Sequence, residues 1–180
     1  MTCELSARAY ERASMMKSIT NASAAALAFC FAIATPVIDA NAVTASPFAP
    51  LIGRWSGVGM IGYKASPPEK IKCRATYLMS DAQDEMKQTI RCATAGGNVE
   101  IVSNVKESAG KLSGHWKETI HNFEGDLTGD VTPKGYRVVI QSSDVTANMD
   151  IIIDSNKQAV EIQFVDASSL RGITLVMTKG

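Results

Sequence analysis

The fold is indicated first by the stretch LIGRWSG at residues 51–57, where a Gly-x-Trp motif opens a predicted β-strand. From there to residue 180 the chain is a train of short segments in which apolar and polar side chains alternate. Each segment ends in turn residues such as Gly, Asn, Asp, Ser or Pro, and no helical period of useful length occurs. Trp55 is therefore expected to be the first large side chain on the inside of an antiparallel sheet.

Two neighbouring segments, residues 71–79 and 86–92, test this interpretation because each contains one cysteine. A hairpin loop between them places Cys73 opposite Cys92 on the inner face. Directly opposed residues can reach disulfide geometry, and the bridge would stabilise the fold by roughly 3 kcal/mol on a chain-entropy argument. Because the chain has no Cys-x-x-Cys motif, a structural disulfide is favoured over a redox-active pair.

Further hairpins continue the same inner face. Gly96-Gly97 predicts a two-residue turn, and the hairpin after it places Lys117 opposite Glu100 on the outer face. Short and uniform connections favour an up-and-down (meander) β-barrel of about 8–10 antiparallel strands, because closing the sheet removes its exposed edges. The predicted fold class is therefore all-β.

A family resemblance adds to this prediction. Gly53-x-Trp55, the meander barrel and a basic residue at the start of the last strand, Arg171, resemble the calycin families: lipocalins, fatty-acid-binding proteins and avidin-like barrels. In those folds the tryptophan closes one barrel end, and a late Arg or Lys lies across its ring. The resemblance implies that Trp55 and Arg171 close this barrel through a cation–π contact.

Residues 1–42 have the features of a signal peptide. A basic leader precedes an apolar run of about 13 residues, which is short for a membrane span of about 20, and Ala40-Asn41-Ala42 fits a cleavage site. We therefore expect cleavage after about Ala42, a flexible tether at residues 43–50, and a single barrel domain at residues 51–180. The mature protein would be periplasmic or secreted, with no stable membrane anchor; an anchor left uncleaved is the alternative.

Composition and motifs exclude several function classes. Lys and Arg together number 18, as do Asp and Glu, and zero net charge disfavours nucleic acid or an acidic membrane as the main partner. His115 and His121 lack metal-ligand spacing, and no nucleophile elbow, phosphate loop or dinucleotide fingerprint occurs. We interpret the acidic residues after Trp116 as solvated charges. The sequence predicts no catalytic residue, no metal site, no cofactor and no enzymatic activity.

The barrel interior remains as the candidate site. We expect a small apolar ligand to lie against five inner-face side chains: Tyr77, Trp116, Tyr136, Met149 and Phe164. The polar groups that could orient the ligand are those of Tyr77, Gln88, Ser103 and Tyr136. The competing hypothesis is a filled barrel that acts as an envelope structural or interaction protein, or as an inhibitor. Glycines on the inner face are compatible with either strand bends or space for a ligand.

Overall fold

The computed structural model describes residues 45–180, so the predicted signal peptide lies outside the described residues. The ten strands are β1 (Gly53–Tyr63), β2 (Glu69–Met79), β3 (Glu85–Thr94), β4 (Gly97–Ser108), β5 (Lys111–Glu118), β6 (Phe123–Thr132), β7 (Gly135–Gln141), β8 (Thr146–Asp154), β9 (Lys157–Asp166) and β10 (Leu170–Lys179). Each strand pairs with its neighbours in sequence, and β10 closes the barrel on β1. The predicted all-β meander barrel is confirmed. Within the described residues, no helix is long and apolar enough to cross a membrane.

The alternation of side chains along each strand produces the wall of this barrel. In β2, the side chains of Ile71, Cys73, Ala75 and Tyr77 are buried, whereas most residues between them are exposed. Every second residue of a strand points to the same face of the sheet, so one period-two pattern fills the inside with apolar side chains and leaves the outside mostly polar.

The inner-face glycines of β1 mark a close approach of two backbones. A Cβ atom on Gly57 would overlap the carbonyl oxygen of Val176, and one on Gly59 would overlap that of Thr174. Only glycine therefore allows these positions of β1 to lie so close to the backbone of its paired neighbour β10. The inner-face glycines were expected to mark either strand bends or space for a ligand. At Gly57 and Gly59 the neighbouring backbone occupies the space, which favours tight coiling of the strand over room for a ligand.

The predicted register between β2 and β3 is confirmed. Cys73 lies opposite Cys92, and the two form a disulfide with their Cα atoms 4.1 Å apart. On the outer face, the same register places Arg74 opposite Arg91.

The next two hairpins differ from the prediction by two residues. The β3–β4 turn consists of residues 95–96 rather than Gly96-Gly97, because Thr94 pairs with Gly97 and the Thr94 hydroxyl accepts a hydrogen bond from the Gly96 amide at 3.0 Å. In the β4–β5 hairpin the turn consists of Ala109 and Gly110, because Ser108 pairs with Lys111, and Lys117 lies opposite Val102 instead of Glu100. A shift of two residues keeps every side chain on its predicted face, so the inner surface is unchanged.

The residues before β1 close one end of the barrel, which we call the plugged end. Residues 47–51 form a turn where a flexible tether was predicted over residues 43–50, and Phe48 and Leu51 are both 1% exposed. The Phe48 ring lies 6.0 Å from that of Tyr136, whose hydroxyl donates to the Pro47 carbonyl at 2.6 Å. The tether prediction is wrong for these residues because two large apolar side chains gain burial by entering the barrel.

Trp55 lies next to this plug and is buried. Its indole N–H donates to the Leu51 carbonyl at 2.6 Å, and the Lys179 ammonium group lies 5.6 Å from its ring centroid. The same ammonium group donates to the Pro50 carbonyl at 3.1 Å. Lys179 therefore fixes both the tryptophan ring and the backbone of the plug.

The contact predicted between Trp55 and Arg171 is not formed. Trp55 pairs with Lys179, while Arg171 lies next to Gly172, which pairs with Gly62 at the far end of β1. Eight residues separate Arg171 from Lys179, or roughly 26 Å along a strand. Because β10 runs antiparallel to β1, the end of β10 faces the start of β1, and a residue at the start of β10 cannot reach Trp55.

Candidate ligand site in the barrel interior

The plugged half of the barrel is filled with side chains. Its six largest fully buried residues are Phe48, Leu51, Trp55, Tyr77, Gln158 and Met177. All six lie at or near the plugged end, at the beginning of β1 and β9 or the end of β2 and β10, or in the segment before β1. Such a cluster stabilises the closed end but leaves no room for a ligand there.

Two of the predicted ligand residues, Tyr77 and Tyr136, belong to this filled half. The Gln158 side-chain amide donates to the Tyr77 hydroxyl at 3.1 Å, and burial raises the pKa of Tyr77 to about 12. Burial also raises the pKa of Tyr136, with a smaller contribution from the charge of Tyr77. Both hydroxyl groups are hydrogen-bonded within the protein, so these residues hold the plug in place and do not line an accessible site.

The other three predicted ligand residues, Trp116, Met149 and Phe164, lie on the inner face and are only half-buried. The same holds for several inner-face aliphatic residues around them: Ile90, Ile101, Ile140, Ile162 and Ile173. Side chains that are inside a closed barrel wall and still partly exposed must border space that solvent enters. We call the barrel end opposite the plug the open end; Ile140, Phe164 and Ile173 lie toward it, whereas the equally half-buried Ile151 and Ile153 lie toward the plug.

Two polar atoms on this wall lack a hydrogen-bond partner. Ser103 on β4 pairs with Trp116 on β5, so their side chains are neighbours on the inner face. The Ser103 hydroxyl and the Trp116 indole N–H are both buried, and neither has a partner among residues 45–180. Gln88 on β3 pairs with Ser103 and continues this row. An unpaired buried donor costs about 1–3 kcal/mol, so the pair favours any acceptor that reaches it.

Glu118 fixes the rim of the open end. Its buried carboxylate accepts hydrogen bonds from the backbone amides of Glu100, Ile120 and His121, and contacts the His121 ring at 3.0 Å. Burial alone would raise the pKa of this carboxyl, but the hydrogen bonds outweigh burial, and the pKa is lowered. The charged form of Glu118 thus orders the β5–β6 loop at the open end of the barrel.

The remaining acidic residues that follow Trp116 lie on the outer face of β6. Glu124, Asp126 and Asp130 are exposed and lie near Lys117, His115 and Lys111 respectively. In residues 45–180, no group of three or more His, Cys, Asp or Glu side chains is placed to hold a metal ion.

Some features of this interior were not predicted from the sequence. The segment from Pro47 to Leu51 reads as a loop because it contains two prolines, and its two apolar side chains were the only sign that it packs. Gln158 was missed as a buried partner because it follows a turn directly. Its inner-face position in the alternating pattern of β9 was the available signal.

Comparisons with known proteins show the fold. No protein-family model and no curated protein matches this chain. The solved structure of Rv2717c from M. tuberculosis is 13% identical, with a TM-score of 0.62 over 74% of this chain and 94% of that chain. The S-type phycobiliprotein lyase CPES from Guillardia theta is 9% identical, with a TM-score of 0.56 over 74% of this chain and 90% of that chain. Both matches show a shared fold, which in this chain is a closed barrel of ten antiparallel strands.

Proposed function

We propose that this protein binds a small and largely apolar ligand in the open half of its barrel. The observation that carries the proposal is the pair of unpartnered polar groups on Ser103 and Trp116, set in a half-exposed apolar wall. Ligand sites in proteins combine such a wall with a few polar groups that fix orientation. The likeness to a phycobiliprotein lyase is consistent with a barrel that receives a small molecule.

The polar groups indicate the chemistry of the ligand. The Trp116 indole is a donor only, and the Ser103 hydroxyl is free to donate, so the ligand should present a hydrogen-bond acceptor. The inner-face positions of β3–β9 carry no Lys, Arg or His, and a buried carboxylate without a cation is unfavourable. A neutral acceptor, such as a carbonyl or ether oxygen, therefore fits this wall better than a carboxylate.

We also propose that the protein acts outside the cytoplasm, as a binding protein and not as an enzyme. The Cys73–Cys92 disulfide supports an oxidising compartment, and the leader sequence supports export. Sequencing the N-terminus of the protein isolated from its own organism tests this directly. A mature chain that begins near residue 43 is expected, and an intact chain that begins at or near Met1 would contradict export with cleavage.

Native mass spectrometry of the same material tests the ligand. We expect a bound organic mass that is released on unfolding. With the molecule identified, Trp116→Phe should weaken its binding at least about fivefold, because this change keeps an aromatic ring but removes one hydrogen bond and part of the indole surface. Ser113→Ala is a matched control for Ser103→Ala, since Ser113 lies on the outer face of β5.

Two results would contradict the ligand proposal. One is protein that carries no bound mass and takes up no apolar probe, which would favour the interaction-protein hypothesis. The other is a ligand whose affinity is the same in Trp116→Phe, Ser103→Ala and wild-type protein, which would place it elsewhere.

A further inference from the structure

The charges on the outside of the barrel are segregated, although they sum to zero over the whole chain. The outward positions of β1–β3 carry six exposed basic residues, which together define the basic face: Arg54, Lys70, Lys72, Arg74, Lys87 and Arg91. One acidic residue, Glu85, occupies an outward position of these three strands, and it is paired with Lys106 of β4. The outward positions of β6, β8 and β9 carry most of the outward-facing acidic strand residues, including Asp126, Asp150 and Glu161.

The two faces also differ in how their charges are paired. Among residues 45–180, Arg91 is the one member of the basic face that forms an ion pair, with Glu100 at 3.0 Å. On the acidic side, Asp150 and Asp130 are paired with Arg137 and Lys111. The basic face therefore keeps most of its charge available to a partner, whereas much of the acidic charge is already compensated.

Exposed aliphatic side chains lie among these cations. Val58 and Val176 face each other across β1 and β10, and they are 61% and 57% exposed. Next to Val58 in the same row is Lys72, and a shallow groove runs past these side chains to Arg74 and Arg91. The surface thus combines unpaired positive charge with aliphatic side chains that have no contact to bury them.

We propose that the basic face docks on the surface of an anionic phospholipid bilayer. Lys and Arg are attracted to anionic headgroups, and aliphatic side chains add affinity by entering the interfacial region, so reversible binding uses the two together. A single-stranded nucleic acid site would carry aromatic side chains for base stacking, and the outward positions of β1–β3 carry none.

The zero net charge does not oppose this docking. Charges are screened beyond a Debye length of about 8 Å in physiological salt. Most of the outward acidic strand residues lie on β6, β8 and β9, away from β1–β3, so a bilayer in contact with β1–β3 is influenced mainly by the basic face. The net charge of zero disfavours an acidic membrane only if the charges are spread evenly over the surface. In the folded barrel, the basic face and most of the outward acidic side chains lie on different strands.

Co-sedimentation with vesicles tests the proposal. Phosphatidylcholine vesicles that contain phosphatidylglycerol should bind the protein, pure phosphatidylcholine vesicles should bind it weakly, and added salt should weaken binding. Each cation near the bilayer contributes roughly a fivefold gain in partitioning. Lys72→Gln/Arg74→Gln should therefore reduce binding about 30-fold, and Val58→Thr/Val176→Thr should reduce it while leaving its salt dependence unchanged.

The matched control is Lys134→Gln/Lys157→Gln, which removes the same charge from exposed positions outside the basic face. This double variant should retain wild-type binding. Circular dichroism checks that each variant is folded. The proposal would be overturned if Lys72→Gln/Arg74→Gln and Lys134→Gln/Lys157→Gln lost vesicle binding equally, or if the wild-type protein did not prefer the anionic vesicles. Selective binding of an acidic protein or of nucleic acid in place of vesicles would also overturn it.

Discussion

Replacing Phe48 by alanine tests whether residues 45–50 are a structural part of the barrel. Phe48 is 1% exposed and packs against Tyr136. A phenylalanine side chain buries at least 150 Å² or so, which at about 25 cal/mol per Å² corresponds to about 4 kcal/mol. This agrees with the range of about 3–5 kcal/mol for removing a buried phenylalanine ring. We expect Phe48→Ala to lower the free energy of unfolding by about that amount.

The assay is urea unfolding of the disulfide-intact protein, followed by tryptophan fluorescence. Trp55 lies beside the plug, so its emission reports the same region. The transition midpoint should fall while the slope of free energy against urea stays constant, since the variant exposes nearly the same surface on unfolding.

Phe123→Ala is the matched control. It makes the same chemical change at a residue that is 50% exposed at the start of β6. We expect a loss of no more than about 1 kcal/mol there, because surface substitutions change stability little. If Phe48→Ala cost no more than Phe123→Ala, residues 45–50 would behave as the flexible tether that the sequence suggested, and the plug would be refuted.

Further predictions concern the disulfide, the closing tryptophan and the rim. A thiol assay on the unfolded, unreduced mature protein should detect no free thiol; two would refute the bridge between Cys73 and Cys92. Trp55→Ala should destabilise by roughly 3–5 kcal/mol, measured by urea unfolding, and a loss within the surface range would rule out its closing role. Because the pKa of Glu118 is lowered in the folded protein, the stability it provides is complete above its unfolded pKa of about 4.3 and is lost as pH falls through the folded pKa. Glu118→Gln should therefore destabilise near neutral pH, and the difference from wild type should shrink below about pH 4; a pH-independent difference would contradict this.

Much of the fold could be predicted because it depends on local patterns. The alternation in β2 and β3 and the loop between them were enough to place Cys73 opposite Cys92. The β3–β4 turn was placed one residue too late because three adjacent residues suit a turn. The Thr94 side chain selects among them through a hydrogen bond that the sequence does not reveal.

The errors at the barrel ends have a different origin. Which cation covers Trp55 depends on how β10 closes on β1, a contact between residues more than a hundred positions apart. The family resemblance suggested Arg171, but antiparallel pairing requires a residue at the end of β10, and that residue is Lys179. Likewise, Phe48 lies in a segment of loop composition, and only the space inside the finished barrel explains why it is buried.

The site itself could be predicted only as a list of inner-face residues, because strand pairing decides which of them meet. Tyr77 and Tyr136 form hydrogen bonds within the filled end, whereas Ser103 and Trp116 lie side by side on β4 and β5 with no partner in the described residues. A change at Trp55 should therefore affect mainly the stability of the fold, and a change at Trp116 should affect mainly the affinity for the ligand. Trp55→Phe removes the hydrogen bond to Leu51 and part of the buried indole, so it should lower stability by more than about 1 kcal/mol without changing ligand affinity.

Trp116→Phe should have the opposite effect, since its N–H has no partner to lose in the described residues. Its loss of stability should be smaller than that of Trp55→Phe, because the lost packing is only half-buried and a buried unpaired donor is removed, while ligand affinity falls. Effects at sites that share no contacts add, so the double variant should show both changes at their single-variant size. If Trp116→Phe instead destabilised the free protein as strongly as Trp55→Phe, its indole N–H would be bonded within the fold, and the main argument for a ligand would be lost.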